Sequence, residues 1–358
     1  MKVRREKEFL SFFDEHTGKY VRTGIIKDGK DTGIDPFMSS FPELLDIGIM
    51  GYCKHGKKGL CMKAGVECYQ NGLYAQNDNM ILDDFKHIVK QCKGKTYQFA
   101  LGGCGDPDQH ENFQEMLEIC SIAGITVNFT TSGFGMTEKI ADICKKYCGA
   151  VAISWYRSEY TLRAIKMLLD ANVKTNIHYV LNNNSVEEAL QRLQNKSFPE
   201  GVNAIVFLLH KPVGLGTRDN MIEKKNEDFL KLIKYIQSGE SSYKIGFDSC
   251  TIPALIDENP EIDMDSMDTC EGARWSAYIT ADMKMLPCSF DNQEQKWAVN
   301  LRDKTIQEAW KSIEFEEFRN YFRTACPSCK HKALCLGGCP IRPEIVLCNR
   351  PERTQGTM

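Results

Sequence analysis

The stretch Cys326-Pro-Ser-Cys329-Lys-His-Lys-Ala-Leu-Cys335-Leu-Gly-Gly-Cys339, followed by Cys348, decides how the rest of the sequence is interpreted. Its five cysteines fall within 23 residues, spaced C-x2-C-x5-C-x3-C and then x8-C. A packed core has no need of thiols at this density, whereas thiolates a few residues apart can converge on one metal centre. The stretch therefore predicts metal or cluster ligation, with unrelated thiols or disulfides as the alternatives.

Composition narrows the class of protein. The chain has 358 residues, 42% of them hydrophobic, which suffices for one large domain and a smaller one. A net charge of −3 gives no argument for nucleic acid or an anionic membrane as partner. No signal peptide and no apolar run of about 20 residues is evident. Sixteen cysteines in such a chain are expected to be reduced and metal-bound in the cytoplasm.

Between residues 46 and 240 the hydrophobic pattern alternates between strands and helices. Strands are predicted at 43–50, 96–103, 125–133, 149–156, 173–181 and 202–214, and helices at 80–93, 111–122, 137–147, 159–171, from Ser185 and at 226–238. Alternation at this pitch predicts a parallel sheet with crossover helices. The α/β fold class expected is a partial (β/α)6 TIM-like barrel with its chemistry at the carboxyl ends of the strands.

The flanking segments differ from the barrel. Residues 1–45 are predicted to form an N-terminal hairpin extension around a turn at 14–19, and 46–240 to form the barrel. Residues 241–350 are predicted to form a small Cys-rich α+β domain, with a hairpin around Ala281-Asp282 and a helix over 304–322. Residues 351–358 are predicted to be a frayed tail.

A second set of cysteines follows the first barrel strand directly. Cys53, Cys61 and Cys68 lie in a glycine-rich loop with the spacing C-x7-C-x6-C. Three thiolates at this position can hold three irons of a [4Fe–4S] cluster and leave the fourth iron free for a small molecule. The alternatives are ordinary loop thiols or a zinc site with His55 as fourth ligand.

With these motifs the chain resembles a radical S-adenosylmethionine (SAM) enzyme of the SPASM type, a class that modifies ribosomally made peptides. The resemblance implies that the open iron in this loop binds the amino and carboxylate groups of SAM. The usual loop of the class is C-x3-C-x2-C with an aromatic residue before the last cysteine. Here the gaps are longer, and Tyr69 follows Cys68.

The resemblance also implies which residues contact SAM. A glycine turn follows strand two, with a cysteine where the class usually has glutamate, and further polar strand ends and a Pro-x-Gly turn follow. For each polar residue, the alternative to a SAM contact is a hydrogen bond to another residue inside the barrel. The implied SAM contacts are Gly102, Gly103, Cys104, Ser132, Ser154, Asn176, Lys211 and Gly214.

The C-terminal cysteines match every cysteine position of the SPASM pattern, with Met283 where a glycine is usual. The resemblance implies two auxiliary clusters with interleaved ligands, which makes three [4Fe–4S] clusters in all. Auxiliary cluster I would take Cys250, Cys270, Cys288 and Cys339, and auxiliary cluster II would take Cys326, Cys329, Cys335 and Cys348. The other thiols near helices, Cys92, Cys120, Cys144 and Cys148, are expected to be core or surface residues.

The implied function is a radical SAM peptide maturase. It would abstract a hydrogen atom from a precursor peptide through the 5′-deoxyadenosyl radical and form a thioether or another crosslink, with flavodoxin or ferredoxin as electron donor. A formylglycine-forming or epimerising enzyme, or a non-catalytic Zn- or Fe–S-binding module, are the alternatives. Ser289 stands where a formylglycine-forming relative has a carboxylate, which weighs against that reaction.

Overall fold

The computed structural model describes residues 1–259, 262 and 267–348, so the predicted tail at 351–358 lies outside the described residues. Its centre is a ten-stranded sheet of order β12-β11-β10-β9-β8-β7-β6-β13-β14-β15, in which β6 to β12 are parallel neighbours in chain order. The bounds of this parallel part and its helices are β6 (Leu44–Met50), α1 (Lys54–Lys57), α2 (Leu60–Lys63), α3 (Leu82–Cys92), β7 (Gln98–Gly103), α4 (Phe113–Ala123), β8 (Thr126–Thr131), α5 (Glu138–Tyr147), β9 (Cys148–Ser154), α6 (Glu159–Asp170), β10 (Thr175–Leu181), α7 (Val186–Gln194), β11 (Ala204–Leu209), α8 (Glu227–Gln237) and β12 (Ile245–Phe247).

The six predicted strand–helix units are therefore confirmed, and a seventh strand, β12, extends the parallel sheet. This strand has only three residues, which is too few for a periodic hydrophobic pattern to be recognised in the sequence. The sheet continues past the boundary predicted near residue 240, which stays a prediction.

Burial alternates along the parallel strands and distinguishes their two faces. In β6, Leu45, Ile47 and Ile49 are fully buried, while Asp46 and Gly48 point to the other side. Right-handed crossovers place all the helices on one face, so the opposite face lines the interior of the barrel. Leu45, Ile47 and Ile49 therefore face the helices, and polar or small residues such as Asp46 and Gly48 face the barrel interior.

The C-terminal part joins the same sheet. It comprises α9 (Ile252–Glu258), β13 (Ser276–Ile279), β14 (Lys284–Leu286), β15 (Val299–Asn300), α10 (Ile306–Trp310), α11 (Ile313–Thr324) and α12 (Lys332–Cys335). Strand β13 pairs in parallel with β6, and β13–β14 is the predicted hairpin. The predicted helix over 304–322 is wrong as a single element, because Ser312 caps a new helix by accepting a hydrogen bond from the Phe315 N–H.

The N-terminal extension contains the predicted hairpin around 14–19 and three further strands. Strands β1 (Lys2–Arg5), β2 (Leu10–Phe13) and β3 (Tyr20–Arg22) form an antiparallel sheet, and β4 (Ile26–Lys27) pairs with β5 (Lys30–Asp31). Among the helices of the described ranges, none combines the length and apolar character that crossing a bilayer requires.

Candidate metal centres

The loop after β6 gathers its three cysteines at the carboxyl end of the sheet. Cys53 caps α1, and its Sγ accepts a hydrogen bond from the Gly56 N–H at 3.0 Å. A Cβ built on Gly72 would lie 3.1 Å from the Cys53 Cβ and 3.4 Å from the Cys68 Sγ, so these two thiols flank one glycine. Cys61 on α2 is buried beside them, and its charge interacts with those of the other two.

The electrostatics of this group suit a cationic centre. Burial, reinforced by neighbouring negative charge, raises the pKa of the Cys53 thiol to about 12, and burial also raises the pKa values of Cys61 and Cys68. Three buried thiolates are costly without a compensating positive charge, which bound iron supplies. The three residues thus fit a cluster.

The zinc alternative required His55 as a fourth ligand. The His55 Nε2 lies 2.6 Å from the Tyr160 hydroxyl, and its ring packs 4.6 Å from that of Tyr156. Within the described ranges no three His, Cys, Asp or Glu side chains are arranged to ligate one ion. The ligands of a [4Fe–4S] cluster each bind a different iron, so they need not meet at one point.

The glycine turn after β7 lies against this loop. Gly103 has φ +108°, and a Cβ there would lie 2.5 Å from the Met50 carbonyl oxygen, so only glycine fits. Gly102 faces open space, since a Cβ there would meet nothing within 4 Å. The Cys104 Sγ donates to the Gln70 carbonyl at 3.2 Å. Gly102 therefore leaves room for a ligand beside the loop.

Two buried carboxylates behind the turn, Asp106 and Asp108, were not among the site residues predicted from the sequence. Asp106 accepts hydrogen bonds from the Ser132 N–H at 2.7 Å and from the Ser132 hydroxyl at 2.6 Å. Ser132 thus uses its only hydroxyl proton inside the barrel, as its alternative interpretation expected. Neither carboxylate oxygen of Asp108 has a hydrogen-bond partner among the described residues. Burial, and then repulsion from Asp106, raises the pKa of Asp108 to about 7.

The raised pKa of the Asp108 carboxyl predicts that the stability of the protein depends on pH. Because the pKa of Asp108 is raised from 3.8 to about 7, folding favours its protonated form. That stabilisation is complete below the usual pKa and is lost as the pH rises through about 7. We expect Asp108→Asn to unfold at a temperature several degrees above wild type near pH 8, with a smaller difference near pH 5. Thermal unfolding followed by circular dichroism measures this, with exposed Asp142→Asn as the control; a uniform difference across pH contradicts it.

The remaining implied SAM contacts lie in different places. Ser154 ends β9 on the interior face, as expected of a SAM contact. Asn176 is only the second residue of β10, and its Oδ1 accepts a hydrogen bond from Asn203, which directly precedes β11. The expectation for Asn176 is therefore corrected: it lies near the amino ends of the strands, away from the glycine turn. Lys211 is buried against Asp248 rather than open to the glycine turn.

Gly214 contacts the cluster loop directly. The neighbouring Leu215 N–H donates to the Cys68 carbonyl at 2.9 Å. A Cβ on Gly214 would lie 2.4 Å from the Tyr69 carbonyl oxygen and 2.6 Å from that of Cys68. The glycine thus allows the turn after β11 to support the last cysteine of the loop.

We expect Gly214→Ala to displace this loop. Overpacking of this kind costs about 1–3 kcal/mol, and the iron bound per chain should fall from about 12 towards about 8. The control is Gly239→Ala, because Gly239 has a similar φ of +74° but nothing within 4 Å of the added Cβ. Iron analysis after anaerobic reconstitution distinguishes the two; equal iron in both variants contradicts the predicted displacement.

The C-terminal cysteines separate into two groups, and the first joins distant parts of the chain. The side chains of Cys250 and Cys339 interact directly. The charge of Cys288 interacts with those of Cys270 and Cys250. Burial raises the pKa of Cys270 to about 12. These four residues, called thiol group one below, are the set that the resemblance assigns to auxiliary cluster I.

The second group is local in sequence. The charge of Cys335 interacts with those of Cys329, Cys326 and Cys348, and burial raises its pKa. The chain turns between the groups at Gly337 and Gly338, both with positive φ. These four residues, called thiol group two below, are the set assigned to auxiliary cluster II. The helix thiols Cys92, Cys120 and Cys144 are buried in the core, and Cys148 begins β9.

Comparisons with known proteins identify one domain and a shared fold. Residues 270–332 match SPASM, an iron–sulfur cluster-binding domain. Streptococcus suis SuiB bound to S-adenosylmethionine has a similar structure (TM-score 0.62, 18% identity), with 85% of this chain and 74% of SuiB covered. SuiB bound to its precursor peptide SuiA gives a TM-score of 0.63, 18% identity and coverages of 85% and 73%. Native anSMEcpe with AdoMet and the Cp18Cys peptide gives 0.58, 18% and coverages of 86% and 92%. At this identity the likeness shows a shared fold.

Proposed function

We propose that this protein, which has the radical SAM fold and a SPASM domain, binds SAM and three [4Fe–4S] clusters and modifies a ribosomally made peptide. The observation that carries the proposal is the grouping of eleven cysteines into one set of three and two sets of four. The set of three is the one beside an open glycine face, at Gly102. Only that set would leave an iron with a free coordination position.

The grouping of the thiols supports an assignment of residues to each cofactor. Cys53, Cys61 and Cys68 would ligate the first cluster, and thiol groups one and two would ligate the auxiliary clusters. Gly102, Gly103 and Ser154 would contact SAM. When bound, the first cluster and SAM supply a 5′-deoxyadenosyl radical able to take a hydrogen atom from an unactivated carbon.

The protein's own contribution is enclosure and orientation. His55, within the loop, packs against the rings of Tyr156 and Tyr160. The Tyr69 ring, next to Cys68, lies 4.7 Å from the ring of Phe290 in the C-terminal domain. These contacts fix the loop relative to that domain. A target C–H bond held close to the radical source reacts in preference to others.

Crosslink formation is favoured over formylglycine formation by the residues after Cys288. The nearest carboxylate, Asp291, accepts hydrogen bonds from the backbone N–H groups of Trp297 at 3.1 Å and Lys296 at 3.2 Å. It is buried and committed to its own turn, so it is poorly placed to take a substrate proton. Ser289 cannot act as a carboxylate. An epimerase would need a hydrogen donor, for which the Cys104 thiol is the candidate.

The partners and location belong to the same proposal. SuiB binds the precursor peptide SuiA and anSMEcpe binds the Cp18Cys peptide, and a peptide substrate is proposed here by analogy. A one-electron donor such as flavodoxin or ferredoxin would supply the electron for SAM cleavage. A reducing cytoplasm would keep the thiolates and clusters intact.

The test is co-expression with a candidate precursor peptide, followed by mass spectrometry. A crosslink removes two hydrogens per event, whereas an unchanged mass with deuterium gained from heavy water means epimerisation. The control is the variant lacking Cys53, Cys61 and Cys68, which should leave the peptide unmodified. A non-catalytic module would produce no 5′-deoxyadenosine from SAM and a reductant.

A further inference from the structure

Lys211, two residues after the end of β11, is a buried cation. Its side chain is 4% exposed, and its Nζ donates to Asp248 Oδ2 at 2.6 Å and to the Leu209 carbonyl at 2.8 Å. An ammonium has three protons to donate, so one remains beyond these two hydrogen bonds. The Phe290 ring lies 4.4 Å from the Nζ, close enough for a cation–π interaction.

The segments around Lys211 are those that carry thiol group one. Asp248 precedes Cys250 by two residues, and Phe290 follows Cys288 by two. The ammonium is therefore held between the two stretches of chain that deliver these thiols.

The carboxylate of the pair is anchored on the barrel side. Asp248 Oδ2 also accepts the Leu209 N–H at 3.1 Å, and its Oδ1 accepts the Thr251 hydroxyl at 2.8 Å. The Lys211 charge acts on Cys250, Cys288 and Cys339. Asp248 is anchored to the barrel and the Phe290 ring lies 4.4 Å from the Nζ, so the ammonium lies between the barrel and the segment that carries Cys288.

The Lys211 ammonium is committed to Asp248 and the Leu209 carbonyl, and it lies among the segments that carry thiol group one. An iron–sulfur centre with four thiolates is negative and gains a further negative charge on reduction. A fixed cation beside it stabilises the reduced form more than the oxidised form, and so raises the reduction potential.

We propose that Lys211 is the fixed cation of thiol group one, and that it raises the reduction potential of the iron centre held by Cys250, Cys270, Cys288 and Cys339. The inference rests on the proposed function, since it requires that a cluster binds there. It gives the two auxiliary centres different potentials, because no equivalent buried lysine is paired beside thiol group two among the described residues.

The experiment is a redox titration followed by electron paramagnetic resonance on reconstituted protein. A background of Cys53→Ala, Cys61→Ala and Cys68→Ala removes the first cluster, so only the auxiliary centres contribute signals. Lys211→Gln should lower the potential of one centre and leave the other unchanged. Asp248→Asn should move the same centre in the opposite direction, and Lys211→Arg, which keeps the charge, should stay near wild type.

Each outcome has one meaning. Opposite shifts confined to one centre support the inference, and iron analysis showing about 8 Fe per chain confirms that a variant holds both centres. If Lys211→Gln loses iron, the Asp248→Asn variant still tests the inference, because a rise in the potential of one centre supports it and a fall contradicts it. Potentials that do not move, or that move equally at both centres, overturn the inference. A parent protein that binds no auxiliary iron at all overturns the proposed function instead.

Discussion

Replacing Cys53, Cys61 and Cys68 together with alanine is expected to reduce SAM cleavage to the rate seen without protein. The three thiols lie in the loop at the carboxyl end of β6, where Cys53 and Cys68 flank Gly72, and this loop lies beside the open face of Gly102. On the proposed function, SAM would then lack both the iron that binds it and the source of the electron for its cleavage. Formation of 5′-deoxyadenosine, measured by chromatography with dithionite as reductant, reports the loss.

The iron content makes this result specific. The triple variant should retain about 8 Fe per chain, against about 12 in wild type, because thiol groups one and two are untouched. Cys148→Ala, which removes a thiol outside all three groups, should change neither iron nor SAM cleavage. Continued SAM cleavage by the triple variant would contradict both the site and the proposed function.

Cys335 and Cys339 are expected to serve different clusters although they are four residues apart. Cys335 interacts with Cys326, Cys329 and Cys348, whereas Cys339 is in contact with Cys250. Two substitutions within one group should therefore cost one cluster, and two substitutions across groups should cost both. The iron bound per chain by double alanine variants therefore shows which cysteines belong to the same cluster.

We expect Cys335→Ala with Cys348→Ala to retain about 8 Fe per chain, and Cys335→Ala with Cys339→Ala to retain about 4. The cross-group pair should also lower the unfolding temperature more, because cluster binding contributes to the folding of this domain. Iron analysis and calorimetry under anaerobic conditions measure both quantities. Equal iron in the two double variants contradicts the division into two groups.

The candidate site could be predicted from sequence where its signal is local. The C-x2-C-x5-C spacing indicates that Cys326, Cys329 and Cys335 can converge, and glycines at the end of β7 indicate a close approach of backbone. Asp106 carried no such signal, since Gly-Asp-Pro is equally a plain turn; only the fold brings Ser132 within 2.7 Å of it. Asn176 was misplaced because its residue type gives no position along the strand.

The sequence by itself determined the alternation of strands and helices and the number and spacing of the thiols, because periodicity and short gaps act over a few residues. Only the tertiary structure decided that Cys339 meets Cys250 and that Lys211 faces the thiols of the C-terminal domain. It also decided that β13 completes the sheet beside β6. These contacts join segments tens to hundreds of residues apart, and their partners are chosen by the packing of the whole sheet.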